Sequence, residues 1–153
     1  LLGSKVFPRN PKLHDLQNLS AIFVLSEIEK GFPIAVMEGT LASNMRVGAM
    51  GAIAAKHLAR EDSEVIGIIG AGEQAKMHLL AMKSVRPGLK QCRVASKVPL
   101  EEQEFIEELA PLFPDMEFIA ADTHSRRAMD GADILVTATS AQAPLLHAEW
   151  VKP

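Results

Sequence analysis

The chain has 153 residues, 48% hydrophobic and 23% charged, the balance of a globular protein with enough length to bury a core. Its formal net charge of -3 gives no electrostatic basis for binding nucleic acid or an anionic membrane surface, and no apolar run approaches the roughly 20 residues that span a bilayer. The single cysteine, Cys92, excludes an intrachain disulfide and fits a reducing, cytoplasmic compartment.

The first residues, LLGSKVFPRN, lack the pattern of a signal peptide and, with Pro8 and Pro11, read as irregular. Ser20 to Ser26 is rich in strand formers, Pro33 to Met37 is a second apolar run, and Glu29-Lys30-Gly31 supplies a turn between them, which predicts a hairpin. From Ser43 the period lengthens. Met45, Ala49, Met50, Ile53, Ala54 and Leu58 recur at three- and four-residue spacing, predicting a helix that Glu61-Asp62-Ser63 closes. Gly48 and Gly51 each cost that helix about 1 kcal/mol relative to Ala, so close packing against another backbone is expected there.

After residue 63 the chain alternates. Strands are predicted at Val65–Ile69, Cys92–Ala95, Met116–Ala120 and Ile134–Ala138, and helices at Glu73 to about Val85, Leu100–Leu112 and Ser125–Met129. Alternation of this kind indicates right-handed β-α-β units in a parallel sheet, and the wholly apolar first strand fits a sheet covered on both faces. The expected fold is α/β: a Rossmann-type doubly wound domain over residues 63–153, preceded over 1–62 by part of a second, α+β domain. The missing initiator Met, and an end just after an apolar element at Trp150-Val151-Lys152-Pro153, suggest a fragment of a longer protein.

Gly70-Ala71-Gly72-Glu73-Gln74-Ala75 matches G-x-G-x-x-G/A at the junction of the first of these strands with its helix. Gly70 permits the tight turn, Gly72 lets a pyrophosphate approach the backbone, and Ala75 lets the helix sit against the strand, while the helix N-terminus offers N–H groups and partial positive charge. The bland alternative is a tight turn with no ligand. The absence of Gly-Lys-Ser/Thr excludes a P-loop. An acid about 20 residues past the loop would bind the ribose 2′-hydroxyl of NAD, but the second strand runs into Ser96-Lys97, with no acid until Glu101. A hydroxyl and a cation could hold a 2′-phosphate, so NADP is favoured over NAD; Lys97 could also be an ordinary solvated residue.

Three stretches, FPIAVMEGTLASNMRVGAMGAIAAKHLAR (32–60), VIGIIGAGEQAKMHLLAM (65–82) and GADILVTATSAQAPLLHAEWVKP (131–153), together resemble the ornithine cyclodeaminase/μ-crystallin family. That resemblance implies NAD(P)-dependent chemistry on a small amino or imino acid, a homodimer formed largely by the non-Rossmann domain, and a substrate/dimerisation role for residues 1–62. It places Arg46 on the family's substrate-carboxylate arginine, in what the sequence reads as the first turn of the helix, where a planar guanidinium and the helix dipole suit a carboxylate. It places Thr137, Ala138, Thr139 and Ser140 along the nicotinamide side of the cleft; Thr139 or Ser140 could instead cap a turn. The family's catalytic lysine precedes a segment like Phe7-Pro8-Arg9-Asn10. Lys5 is the candidate here, although its spacing to Phe7 is short and the true equivalent could lie before residue 1. The family's catalytic aspartate falls after Pro153.

The activity this implies is an NAD(P)-dependent conversion of an amino acid to a cyclic imino acid with release of ammonia, as in an ornithine cyclodeaminase. The alternatives are an imine reductase or amino-acid dehydrogenase of the same family, or a non-catalytic, crystallin-type protein that holds NADP and a small ligand. His14, His57, His78, His124 and His147 show no metal-ligand spacing, and no metal is expected. Met45, Met50, Met77 and Met82 read as core or interface filler, Asp133 as part of a helix-to-strand turn, and Glu101 to Glu108 as a solvated helix face.

Overall fold

A computed structural model of the chain describes residues 2–6, 21–121 and 123–151. The Phe7-Pro8-Arg9-Asn10 segment, His14, Lys152 and Pro153 lie outside them. The chain forms two compact units, Leu1–Asn44 and Met45–Pro153.

The first unit carries an antiparallel sheet of β1 (Leu2–Val6), β2 (Ile22–Ser26) and β3 (Pro33–Glu38), in that order. The predicted hairpin is β2–β3. Gly31, at a φ of 71°, closes its turn by donating to the Glu27 carbonyl, a conformation that Gly adopts without the Cβ clash. β1 corrects the expectation of an irregular start. Its five residues have no apolar period, and they become a strand by pairing along their whole length with β2, from Leu2 opposite Ser26 to Val6 opposite Ile22.

The second unit holds four parallel strands in the order β6-β5-β4-β7: β4 (Val65–Ile69), β5 (Gln91–Ala95), β6 (Glu117–Ala120) and β7 (Ile134–Thr137). Counted from β4 the order is 3-2-1-4, that of one mononucleotide-binding half of the Rossmann fold and the next strand, with the switch point between β4 and β7. Helices α2 (Glu73–Val85), α3 (Glu101–Leu109) and α4 (Ser125–Met129) connect the strands. Successive strand residues face opposite sides, and both sides are buried. Ile66 and Ile68 pack in one cluster with Leu79, Phe105 and Leu109, whereas Ile69 packs in a second with Ala128 and Met129. That is why β4 reads as an unbroken apolar run. Gly67 lets α4 come close, since a Cβ there would lie 2.4 Å from the Ala128 carbonyl oxygen.

Helix α1 (Thr40–Leu58) begins three residues before the predicted start, with Ser43 N–H donating to the Gly39 carbonyl. Arg46 therefore sits in the second turn, beyond the reach of the N-terminal dipole. The expected close approach is present at Gly48, where a Cβ would lie 2.5 Å from the Met77 carbonyl oxygen of α2; Gly51 lies against the His78 ring. Because α1 meets α2 through small residues, Ala52 and Ala55 are buried while Met50 and Ile53 remain 62% and 59% exposed. The three- and four-residue apolar spacing thus marks the outer side of α1, and of Met45, Met50, Met77 and Met82 only Met82 is buried.

Two polar fasteners fix this unit. Asp133, read from the sequence as a turn residue, accepts from the Glu64 and Val65 amides at 3.0 and 2.9 Å and from Arg60 at 2.7 Å, tying the entry of β4 to that of β7. Arg86 is buried at the end of α2, and its guanidinium donates to the carbonyls of Ala55, Lys56, Ala59, Arg60 and Val85. Four of those acceptors belong to the C-terminus of α1 and the residues just after it, where orphan carbonyls carry partial negative charge. Arg86→Met removes these five donations, and its expected cost is about 2–4 kcal/mol of unfolding free energy, read by urea denaturation.

Cys92 is fully buried in the core, packed with Ile66 and Val94 in the same cluster. Burial pushes its thiol from an ordinary 9.0 up to about 12. The folded protein should resist thiol reagents at pH 8 and react on unfolding. With the folded value above the unfolded one, the contribution of Cys92 to stability is intact below pH 9 and lost as the pH rises towards 12; Cys92→Ala should lose that part of the alkaline decline.

Candidate functional site

The carboxyl ends of β4, β5 and β7 meet at Gly70. Its N–H donates to the Ala95 carbonyl at 2.7 Å, and Ala138 N–H donates to the Ile69 carbonyl at 2.8 Å. Gly70 has a φ of 97°, and a Cβ there would lie 2.3 Å from the Ala138 carbonyl oxygen, so both conformation and space require glycine. Gly72 is different. It is extended, caps α2 without any side-chain bond, and a Cβ built on it meets nothing within 4 Å among the described residues. Packing therefore does not demand glycine at Gly72.

The first intrahelical bonds of α2 run from Ala75 and Lys76 N–H to the Gly72 carbonyl. The amides ahead of them point out of the helix end, the arrangement that receives phosphate. Ala75 is fully buried, as its role in helix–strand packing requires. Glu73 puts an acid in this first turn, and Lys76 draws it back at 3.0 Å while also pairing with Glu108 of α3. Burial works to lower the pKa of Lys76, but the carboxylates of Glu108 and Glu73 outweigh it and hold the ammonium above its ordinary value.

A cavity of about 520 Å³ opens at these strand ends. It brings together Gly70, Ala71, Gly72, Ser96, Lys97, Ala138, Thr139 and Ser140. Glu73 and Gln74 stay on the first turn of α2 outside its lining. Thr137 lines a neighbouring cavity of about 370 Å³ with Thr139, Pro144 and Leu146. Thr139 does make a turn bond, its hydroxyl accepting from Ala141 N–H at 3.2 Å. Arg46 is exposed on α1, with Nη1 3.7 Å from Met50 Sδ. Lys5, on β1 in the first unit, donates to the buried hydroxyl of Ser43. Among the described residues no group of three His, Cys, Asp or Glu could hold a metal ion.

Sequence reasoning missed Val98, Glu101, Thr123 and Ser125, which also line the larger cavity. Glu101 is the consequential one. Instead of belonging to a solvated helix face, it accepts a hydrogen bond from Ser96 Oγ at 2.5 Å. Its neighbour Glu102 is 4% exposed, and its Oε2 has no hydrogen-bond partner among the described residues. Only the short interval from Ser96 to Glu101 could have hinted at the pair.

The ornithine cyclodeaminase/mu-crystallin family model matches residues 3–153. The chain belongs to that family. It is similar to a *Thermococcus litoralis* Δ1-pyrroline-2-carboxylate reductase solved in complex with NADH and L-proline, with a TM-score of 0.91 and 34% identity over 97% of this chain and 46% of that one. It is also similar to an archaeal alanine dehydrogenase dimer with bound NAD, at a TM-score of 0.85 and 32% identity over 97% of this chain and 45% of that one. The *Agrobacterium fabrum* ornithine cyclodeaminase is 35% identical over 133 residues, 87% of this chain and 36% of that protein. The chain thus spans less than half the length of each of these relatives.

The two loop glycines are expected to separate by experiment. Gly72→Val should leave thermal stability nearly unchanged, because its side chain enters open space, yet weaken dinucleotide binding by at least about tenfold, read by NADH fluorescence titration. Gly70→Ala should lower the melting temperature as well, by several degrees.

Proposed function

We propose that the full-length protein is an NAD(P)-dependent oxidoreductase acting on the carbon–nitrogen bond of a small amino or imino acid. Residues 63–153 form its NAD(P)-binding domain and 1–62 part of its substrate and dimerisation domain, in a cytoplasmic homodimer. The observation that carries this reading is the glycine loop: a left-handed Gly70, then a Gly72 facing open space at an uncapped helix N-terminus. It is supported by family membership and by relatives named for this class of reaction.

The bound dinucleotide would supply the hydride acceptor or donor. Gly70, Ala71, Gly72 and the first-turn backbone at Glu73 and Gln74 would hold its pyrophosphate. Ser96 and Lys97 would face its adenosine ribose, where Lys97 supports NADP and Glu101 supports NAD. Thr137, Ala138, Thr139 and Ser140 would flank its nicotinamide half. Arg46 would receive the substrate carboxylate, and Lys5 would exchange protons with the substrate amine, so much of the rate gain would come from position.

The particular reaction we propose is conversion of an ornithine-like amino acid to a cyclic imino acid with loss of ammonia. A second reading, one-way imine reduction or amino-acid dehydrogenation, draws on the likeness to the pyrroline-2-carboxylate reductase and the alanine dehydrogenase. Assaying the full-length protein with NAD and NADP against diamino acids, alanine, proline and cyclic imines separates the two. Ammonia release from ornithine supports the first, turnover confined to imines or alanine supports the second, and no nicotinamide signal with any substrate sinks both. Arg46→Ala should raise KM for the carboxylate substrate about ten- to a hundredfold, with a smaller change in kcat.

A further inference from the structure

We infer that Glu101 selects the cofactor: it receives the ribose 2′-hydroxyl of NAD and turns away the 2′-phosphate of NADP. This rests on the dinucleotide cradle proposed above and concerns one corner of it. In a Rossmann unit the ribose lies past the end of the second strand, where an acid some 20 residues beyond the loop usually waits. Here that strand is β5, and it ends at Ala95 without an acid. The carboxylate arrives from a different element. Glu101, the first residue of α3, reaches back to Ser96, and both line the cavity at that strand end.

Three features fix the geometry. Ser96 is 6% exposed, and its hydroxyl is committed on both sides, donating to Glu101 Oε2 and accepting from Val98 N–H at 3.1 Å. Its proton is therefore not available to a phosphate. Leu100, the residue before α3, has a φ of 70°, the one non-glycine residue in the left-handed region among the described residues. A leucine is sterically disfavoured there, and the turn it makes sets Glu101 as the first residue of α3. Glu102 and Glu104 share that first turn, where acidic side chains oppose the partial positive charge of the helix end.

Lys97 opposes this. It is exposed at the cavity rim, where a flexible ammonium is screened by solvent and must be ordered to act. Glu101 is already held in the wall by its bond to Ser96. The fixed acid outweighs the loose cation, so NAD is preferred, and the cation lessens that preference without reversing it.

The test is binding to the full-length protein without substrate. NADH and NADPH are titrated by fluorescence, and 5′-AMP and adenosine 2′,5′-bisphosphate by calorimetry. The wild type should bind NADH and 5′-AMP about tenfold or more tighter than their 2′-phosphorylated counterparts. Glu101→Gln should shrink that ratio about tenfold, chiefly by improving the phosphorylated ligands, and Lys97→Ala should weaken the phosphorylated ligands alone. Equal or tighter wild-type binding of the 2′-phosphorylated ligands overturns the inference, as does an unchanged ratio in Glu101→Gln, while the cradle survives either result. Failure to bind all four ligands removes the cradle itself. A wild-type ratio that favours the 2′-phosphorylated ligands overturns the inference even if the variant folds poorly.

Discussion

Everything at the candidate site depends on how closely β4 and β7 converge at Gly70. Neighbouring strands in a sheet lie about 4.8 Å apart, and only a residue without a Cβ lets the chain leave β4 while the Ala138 carbonyl stands over it. The Gly70 amide is bonded to the end of β5, and the Ile69 carbonyl to the residue after β7. Three strand ends are thereby knotted at one point. The residues that follow each of them, 70–72, 96–98 and 138–140, have nowhere to go except around the same cavity. A larger residue at Gly70 would have to move β7 away, and the cavity wall at Ala138, Thr139 and Ser140 would move with it.

The aim of α2 is the second consequence. Its N-terminus points at the cavity because its flank lies against two other elements at backbone distance. Ala75 is fully buried beneath it, and Gly48 of α1 presses on the Met77 carbonyl. Arg86 then locks the far end of α2 to the C-terminal carbonyls of α1. Small residues thus set the distances, and one buried guanidinium sets the register. Neither device involves a large apolar side chain.

That distinction explains what was legible in the sequence. Val65–Ile69, Glu73–Val85 and Ser125–Met129 have the bounds their residues predict, because a strand buried on both faces and its connecting helices leave strong apolar and glycine signals. Helix α1 was legible as a helix, but its inner side was not, since the contact is made by Gly48, Ala52 and Ala55 while Met50 and Ile53 face outwards. β1 was illegible because an edge strand of Leu2 to Val6 owes its conformation to the partner it pairs with. At the site, the glycine loop could be read from residue type alone. Glu101 could not, because its approach to Ser96 is made by a left-handed leucine that no local propensity predicts.

The charges along the cavity divide into two kinds. At the α2 end the groups facing out are backbone amides, which in the proposed cradle would receive phosphate, and the one acid in that turn, Glu73, is drawn off by Lys76, which Glu108 holds in turn. Substitution of surface side chains alters such a site little, because its donors are main-chain groups fixed by the fold. At the β5 end the groups are side chains, Ser96, Lys97 and Glu101, and their balance can change by single substitutions without disturbing the sheet. A cradle built this way can keep its grip on a pyrophosphate while its choice at the ribose drifts. In the proposed cradle, the choice of cofactor would therefore rest on the link from Ser96 to Glu101, and its retention on the backbone from Gly70 to Gln74.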